Sequence, residues 1–171
     1  MRTLLASAFV TAALLFGAPS FAADETPAPA AQDTPVGTWT QVDDETGKPK
    51  SIIEISEGPD GMLQGTVKQV LFSEQGTTNP VCKECEGERR NQPVTGMTIM
   101  WGVKKDGDKW DGGQILDPAK GKSYRVELSL RDDGQKLDVK GFLLFFHRTQ
   151  TWIRKDATDS QPASNGSNDN G

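Results

Sequence analysis

The chain has 171 residues, with 19 Lys+Arg against 24 Asp+Glu, two cysteines and a single histidine, a length that suits one domain with one hydrophobic core. A formal charge of -5 and an isoelectric point near 4.9 argue against nucleic acid as a partner, which would require a basic face. One histidine excludes metal sites built from several of them, and the sequence implies no metal or cofactor.

From the N-terminus, Arg2 followed by the mostly apolar run from Leu4 to Phe16 has the form of a secretory signal peptide. Ser20-Phe21-Ala22 places small residues three and one before a cut, so residues 1 to 22 are expected to be removed after Ala22. The run falls short of the ~20 residues that a bilayer crossing needs, and no second one follows. The mature protein is therefore expected to be periplasmic or secreted, without a transmembrane span. No cysteine stands at the cut to carry a lipid anchor. Residues 23 to 35 hold three prolines, three acids and no base, the composition of a flexible leader. The tail from Asp156 to Gly171 lacks aromatic and basic residues and reads the same way. Between Val36 and Lys155 there are 18 bases and 18 acids, so the acidic balance belongs to the two ends and the domain between them is formally neutral.

Within residues 36 to 155 the apolar period is two. Met97, Ile99, Trp101 and Val103 alternate with Thr98, Met100, Gly102 and Lys104. Tyr124, Val126, Leu128 and Leu130 alternate with Arg125, Glu127, Ser129 and Arg131. Leu137, Val139, Gly141, Leu143 and Phe145 repeat the pattern. Weaker strands are predicted around 37–43, 50–56, 61–71, 108–116 and 149–155. Turn signals separate them at Thr46-Gly47, Pro59-Asp60-Gly61, Asp106-Gly107, Pro118 to Gly121 and Asp132-Asp133-Gly134. About eight short strands with no amphipathic helix predict an all-β, antiparallel meander. Mostly short connections favour an up-and-down barrel over a two-sheet sandwich, and closure removes exposed edges. The polar break from 72 to 95, which carries both cysteines, is predicted to be an ordered loop at one barrel mouth.

Several of these pieces, taken in order, resemble the bacterial exported domain-of-unknown-function family 2147, whose members have a lipocalin-like small barrel. They are Gly37-Thr38-Trp39, Asp43-Asp44-Glu45-Thr46-Gly47-Lys48, Cys82-Lys83-Glu84-Cys85, Pro93-Val94-Thr95-Gly96, the run from Trp110 to Pro118, Gly121, Tyr124, Arg148-Thr149-Gln150-Thr151-Trp152 and Arg154. The stretch from Gly141 to Arg148 departs from the family pattern, being slightly shorter and lacking its extra glycines. The resemblance implies a barrel and an exported compartment, and no catalytic residues. It also implies a closed end in which the Trp39 indole, on the first strand with Gly37, is covered by an arginine of the last strand. Arg154 is the favoured candidate and Arg148 the other.

Cys82 and Cys85 admit three readings. In an oxidising compartment a local structural disulfide is the plainest. A redox-active pair would need a lowered thiol pKa, which the neighbouring Glu84, Glu86 and Glu88 oppose while Lys83, Arg89 and Arg90 partly offset them. Zinc would need more ligands than the chain offers nearby. His147 has no nucleophile or carboxylate beside it in any motif and reads as a hydrogen-bonded strand-end residue. Asp43-Asp44 and Asp132-Asp133 read as solvated turn acids. With no catalytic constellation, the chain is not read as an enzyme. Trp101, Trp110, Tyr124, Met97, Ile99 and Phe145 are candidates for core or for the lining of a ligand pocket. Gly65, Gly102, Gly112, Gly113 and Gly141 could mark bulges or leave interior space. The favoured function is binding a small, partly apolar molecule at the mouth framed by the 72–95 loop. The alternatives are an envelope interaction module with a filled barrel and a thiol-redox protein. Oligomeric state is not legible in the sequence.

Overall fold

The computed structural model describes residues 33–155. The expected signal peptide, most of the expected leader and the expected tail lie outside the described residues. Eight strands follow one another: β1 Gly37–Val42, β2 Pro49–Glu57, β3 Leu63–Val70, β4 Thr98–Asp106, β5 Lys109–Asp117, β6 Lys122–Arg131, β7 Lys136–Leu143 and β8 Phe146–Arg154. Each pairs antiparallel with its neighbours, and β1 pairs β8 through Trp39↔Arg154, Thr40↔Ile153 and Gln41↔Trp152, which closes the barrel. No helix among the described residues is long and apolar enough to cross a membrane.

The up-and-down course sends alternate connections to opposite ends. One end collects residues 33–36 and the β2–β3, β4–β5 and β6–β7 turns. The other collects the β1–β2 loop, the long β3–β4 loop, the β5–β6 turn and the β7–β8 hairpin. The first end is filled. Trp39 is fully buried, and its indole Nε1–H donates to the Pro35 carbonyl at 2.7 Å. The Arg154 guanidinium lies 4.1 Å from the Trp39 ring centroid and donates to the backbone carbonyls of Gly134, Val36 and Thr34. Gly37 makes this possible: a Cβ there would stand 2.6 Å from Arg154 Nη1, and its φ of +137° lies where side chains are rarely found. Above this plug Ile53, Ile55, Met100, Leu128, Leu137 and Trp152 complete a close-packed core.

The inward face does not follow simple alternation on β4 and β5. Met100, on the outward set by strict period two, is fully buried, whereas Trp101 is only half-buried and lies under Arg89, whose guanidinium is 4.5 Å from its ring centroid. Register irregularities between β3 and β4 around Leu63, Gly65 and Thr66 shift the phase. Gly65 leaves the room, since a Cβ there would press on Met100. Gly102, at φ +72°, then returns Val103 to the interior. On β5 a shift between Trp110 and Gly113 puts Gly112, at φ +80°, on the outside and Gly113 within. An inserted residue flips every side chain beyond it to the other face.

The last hairpin differs most from the sequence reading. Leu143↔Phe146 is the final pair of β7 and β8, so the chain reverses through Leu144 and Phe145. Phe145 is 95% exposed and is neither core nor cavity lining. Leu144 adopts φ +53°, a position that Gly or Asn ordinarily takes in a two-residue hairpin. With no turn residue to interrupt the apolar run, the strand pattern continues unbroken through a reversal.

Candidate functional site

At the open end the interior is hollow. Several inward residues there are small or β-branched, namely Ser51 on β2, Val67 and Val70 on β3, Val139 and Gly141 on β7, where the closed end carries Trp39, Met100 and Trp152. These small side chains help to leave that half of the barrel hollow while the other is filled. The cavity is about 750 Å³ and opens between the four loops of that end. Ile99, Ile115, Leu116 and Tyr124 supply further apolar wall.

A row of neutral polar groups crosses one side of it. The Ser51 hydroxyl donates to Gln41 Oε1 at 2.6 Å, and Gln41 Nε2 donates to Gln150 Oε1 at 3.1 Å. Among the described residues, nothing accepts from Gln150 Nε2 and nothing bonds the Tyr124 hydroxyl, so both are available to a guest. Charges are confined to the rim and are mostly paired there: Asp43 with Lys50 at 3.6 Å, Asp117 with Lys120 at 3.5 Å, and Arg148 with Asp44 at 2.9 Å. The Thr46 hydroxyl and backbone N–H, joined by the Glu45 N–H and Lys50, hold the Asp43 carboxyl below the usual carboxylate range. The hydrogen bond from Arg148 to Asp44 raises the guanidinium further above its already high value. Ion pairs thus hold much of the charge on the rim, above a neutral interior.

The six candidate core or lining residues separate. Ile99 and Tyr124 line the cavity. Met97 and Trp110 are buried in the core, with Trp110 facing the closed end beside Leu63, Val103 and Lys105. Trp101 is on the outside and Phe145 on the hairpin tip. Of the two arginines, Arg154 caps Trp39, while Arg148 belongs to the opposite, open rim and takes no part in the closure. His147 is exposed on that rim, its ring centroid 6.1 Å from that of Phe142. Gln41, Ser51 and Gln150 are the site residues that the sequence reading missed.

Cys82 and Cys85 form a disulfide, and both residues are buried. Around it the long loop is internally bonded: Cys82 N–H to Gln92 O, Asn91 N–H to Cys82 O, and Val94 N–H to Pro80 O. The loop seats on the β5–β6 turn. The Glu84 carbonyl lies against Gly121, where a Cβ would collide with it, and Cys82 Sγ is 3.2 Å from the Pro118 carbonyl oxygen. Arg89, stacked on Trp101, ties the loop to the outer wall of β4. Burial denies both sulfurs to an attacking thiolate, which weighs for the structural role. The double substitution Cys82→Ser and Cys85→Ser is expected to cost about 2 kcal/mol, because the closed loop is very short. It should also open the 72–95 segment to proteolysis. Urea unfolding and limited proteolysis check this; unchanged stability together with measurable thiol exchange in the wild type would instead make the pair a redox centre.

A closed eight-strand antiparallel meander, plugged by tryptophan and arginine at one end and hollow at the other, is a lipocalin-like barrel. Among solved structures it is similar to protein HP1028 from the human pathogen Helicobacter pylori, described as belonging to the lipocalin family, with a TM-score of 0.61, 19% identity, and coverage of 72% of this chain and 84% of that one. The chain belongs to the bacterial family DUF2147, described as an uncharacterized protein conserved in bacteria, whose model matches residues 37–154. No curated protein matches the chain.

Proposed function

We propose that this protein is exported and binds one small, partly apolar, uncharged molecule in the open half of its barrel. The observation that carries the reading is the cavity of about 750 Å³, within the range of small-molecule sites. It combines apolar walls with unengaged donors at Gln150 and Tyr124. A neutral floor beneath paired rim charges favours a guest whose polar group hydrogen-bonds rather than ionises, since a buried charge would find no counter-charge there. The disulfide and the N-terminal sequence support an oxidising, exported location. The hollow mouth weighs against a barrel filled throughout.

Native mass spectrometry of protein purified from its own host is expected to show a bound mass that is lost on denaturation. After delipidation, the neutral probe N-phenyl-1-naphthylamine should bind saturably with one site per chain. A clean unliganded mass together with no saturable probe binding would overturn the reading.

A further inference from the structure

The β7–β8 hairpin projects four consecutive apolar residues at the open rim, Leu143, Leu144, Phe145 and Phe146, which are 50%, 88%, 95% and 78% exposed. An apolar tip of this kind is out of place in water, and Leu144 keeps a backbone conformation that a polar Asn or Gly would hold more easily. The tip is continuous with the cavity: Leu143 and Phe146 line its mouth, and so does Phe72 from the long loop, itself 57% exposed.

Its flanks are cationic. From Val139 to Lys155 the chain carries no acidic residue. Lys140 on β7 and Arg125 on β6 both lie over the Phe142 ring, at 5.1 and 4.6 Å, just behind the tip. His147 and Arg148 follow it on β8. Arg125 is paired with Asp111, and Arg148 with Asp44 and more distantly with Glu45. Lys140 makes no ion pair among the described residues. An apolar cluster backed by cations matches the layering of an anionic bilayer surface, with apolar side chains below the headgroups and Lys or Arg level with the phosphates. A second copy of this chain fits less well, because a twofold contact at the tip would set Lys140 and Arg148 against their own equivalents.

We infer that the β7–β8 tip docks the open mouth of the barrel onto a phospholipid surface containing anionic lipid, with Leu144 and Phe145 inserted between headgroups. Docking does not depend on what occupies the cavity, so its failure would leave the binding site of the preceding section untouched. If both hold, the guest can pass between leaflet and cavity without crossing water.

The test uses the chain from Ala23 onward, which retains the whole closed barrel, and sucrose-loaded vesicles of equal parts phosphatidylcholine and phosphatidylglycerol. The wild type is expected to sediment with these vesicles. Leu144→Asp with Phe145→Asp should weaken partitioning by about tenfold or more, and Lys140→Glu by about fivefold. Pure phosphatidylcholine vesicles should bind less in every case. Both variants should keep the wild-type melting midpoint and naphthylamine binding: Leu144 and Phe145 are exposed, Asp tolerates the φ of residue 144 better than Leu does, and half-buried Lys140 lies outside the cavity lining. Equal partitioning of wild type and tip variant, or a wild type that stays in the supernatant, would overturn the inference. So would sedimentation velocity showing a wild-type dimer that the tip variant dissolves, which would make the tip a self-association face.

Discussion

Trp39→Ala should destabilise the barrel by about 3–5 kcal/mol, the upper range for an emptied aromatic site in a core. That is a large share of the 5–15 kcal/mol typical of a domain. Three losses coincide at this position. The indole fills the closed end and is fully buried. Its N–H is the partner that the structure gives the Pro35 carbonyl. Its ring is also the platform on which Arg154 lies while that guanidinium binds the carbonyls of Thr34, Val36 and Gly134, tying the N-terminal segment and the β6–β7 turn to the last strand. Without the platform, the seam where the barrel closes keeps its backbone pairing but loses the side-chain clamp over it. Trp101→Ala removes the same side chain from the outer wall and should cost far less, because that ring is only half-buried. Urea unfolding of the two variants side by side checks this. Equal losses at the two positions would mean that the closed end is no more central to stability than the barrel exterior.

The contrast between these tryptophans also marks how far the sequence could be read. Strand number, order and most boundaries follow from period-two patterning and turn residues, because hairpin turns need φ values that Gly, Asn and Asp supply and announce. Four of the eight strand pairings, however, carry register irregularities that leave only a faint trace. On β4 and β5 the bulges at Gly102 and Gly112 reverse the faces of their neighbours. Ahead of Gly102, the register irregularity against β3 already exchanges Trp101 and Met100 relative to strict alternation, and glycine in a strand signals a bulge without saying which side gains the residue. The β7–β8 reversal, made of Leu and Phe, carries no turn residue at all. A small part of the cavity wall was legible, Ile99 and Tyr124 as inward apolar residues and Gly141 as a strand glycine that leaves interior space. Its polar row was readable in principle. Gln41 lies two residues after Trp39 and Gln150 two before Trp152, so each shares the inward face of a buried tryptophan, where an amide needs a reason to be. Whether the interior was hollow depended on the summed volume of residues from every strand, which no single segment of sequence contains.

That volume offers the sharpest test of the site. Gly141→Phe is expected to reduce binding of the naphthylamine probe by about tenfold or more while the melting midpoint stays level or rises. Gly141 sits on the inward face of β7 between Val139 and Leu143, in ordinary strand conformation. A Cβ there would meet only Tyr124 Cβ at 3.8 Å and the Arg148 carbonyl at 4.0 Å, both normal contacts. A phenyl ring built from that position enters the hollow half of the barrel, so the cavity accepts it without displacing packed core. Its burial adds apolar contact, and removal of a mid-strand glycine adds about 0.5–1 kcal/mol. Stability and binding should therefore move in opposite directions, a combination that general damage to the fold cannot produce. If probe binding survives intact beside an unchanged melting midpoint, the guest does not occupy the space above Val139 and Tyr124. A fall in both would mean that the open half is narrower in solution than its lining residues allow.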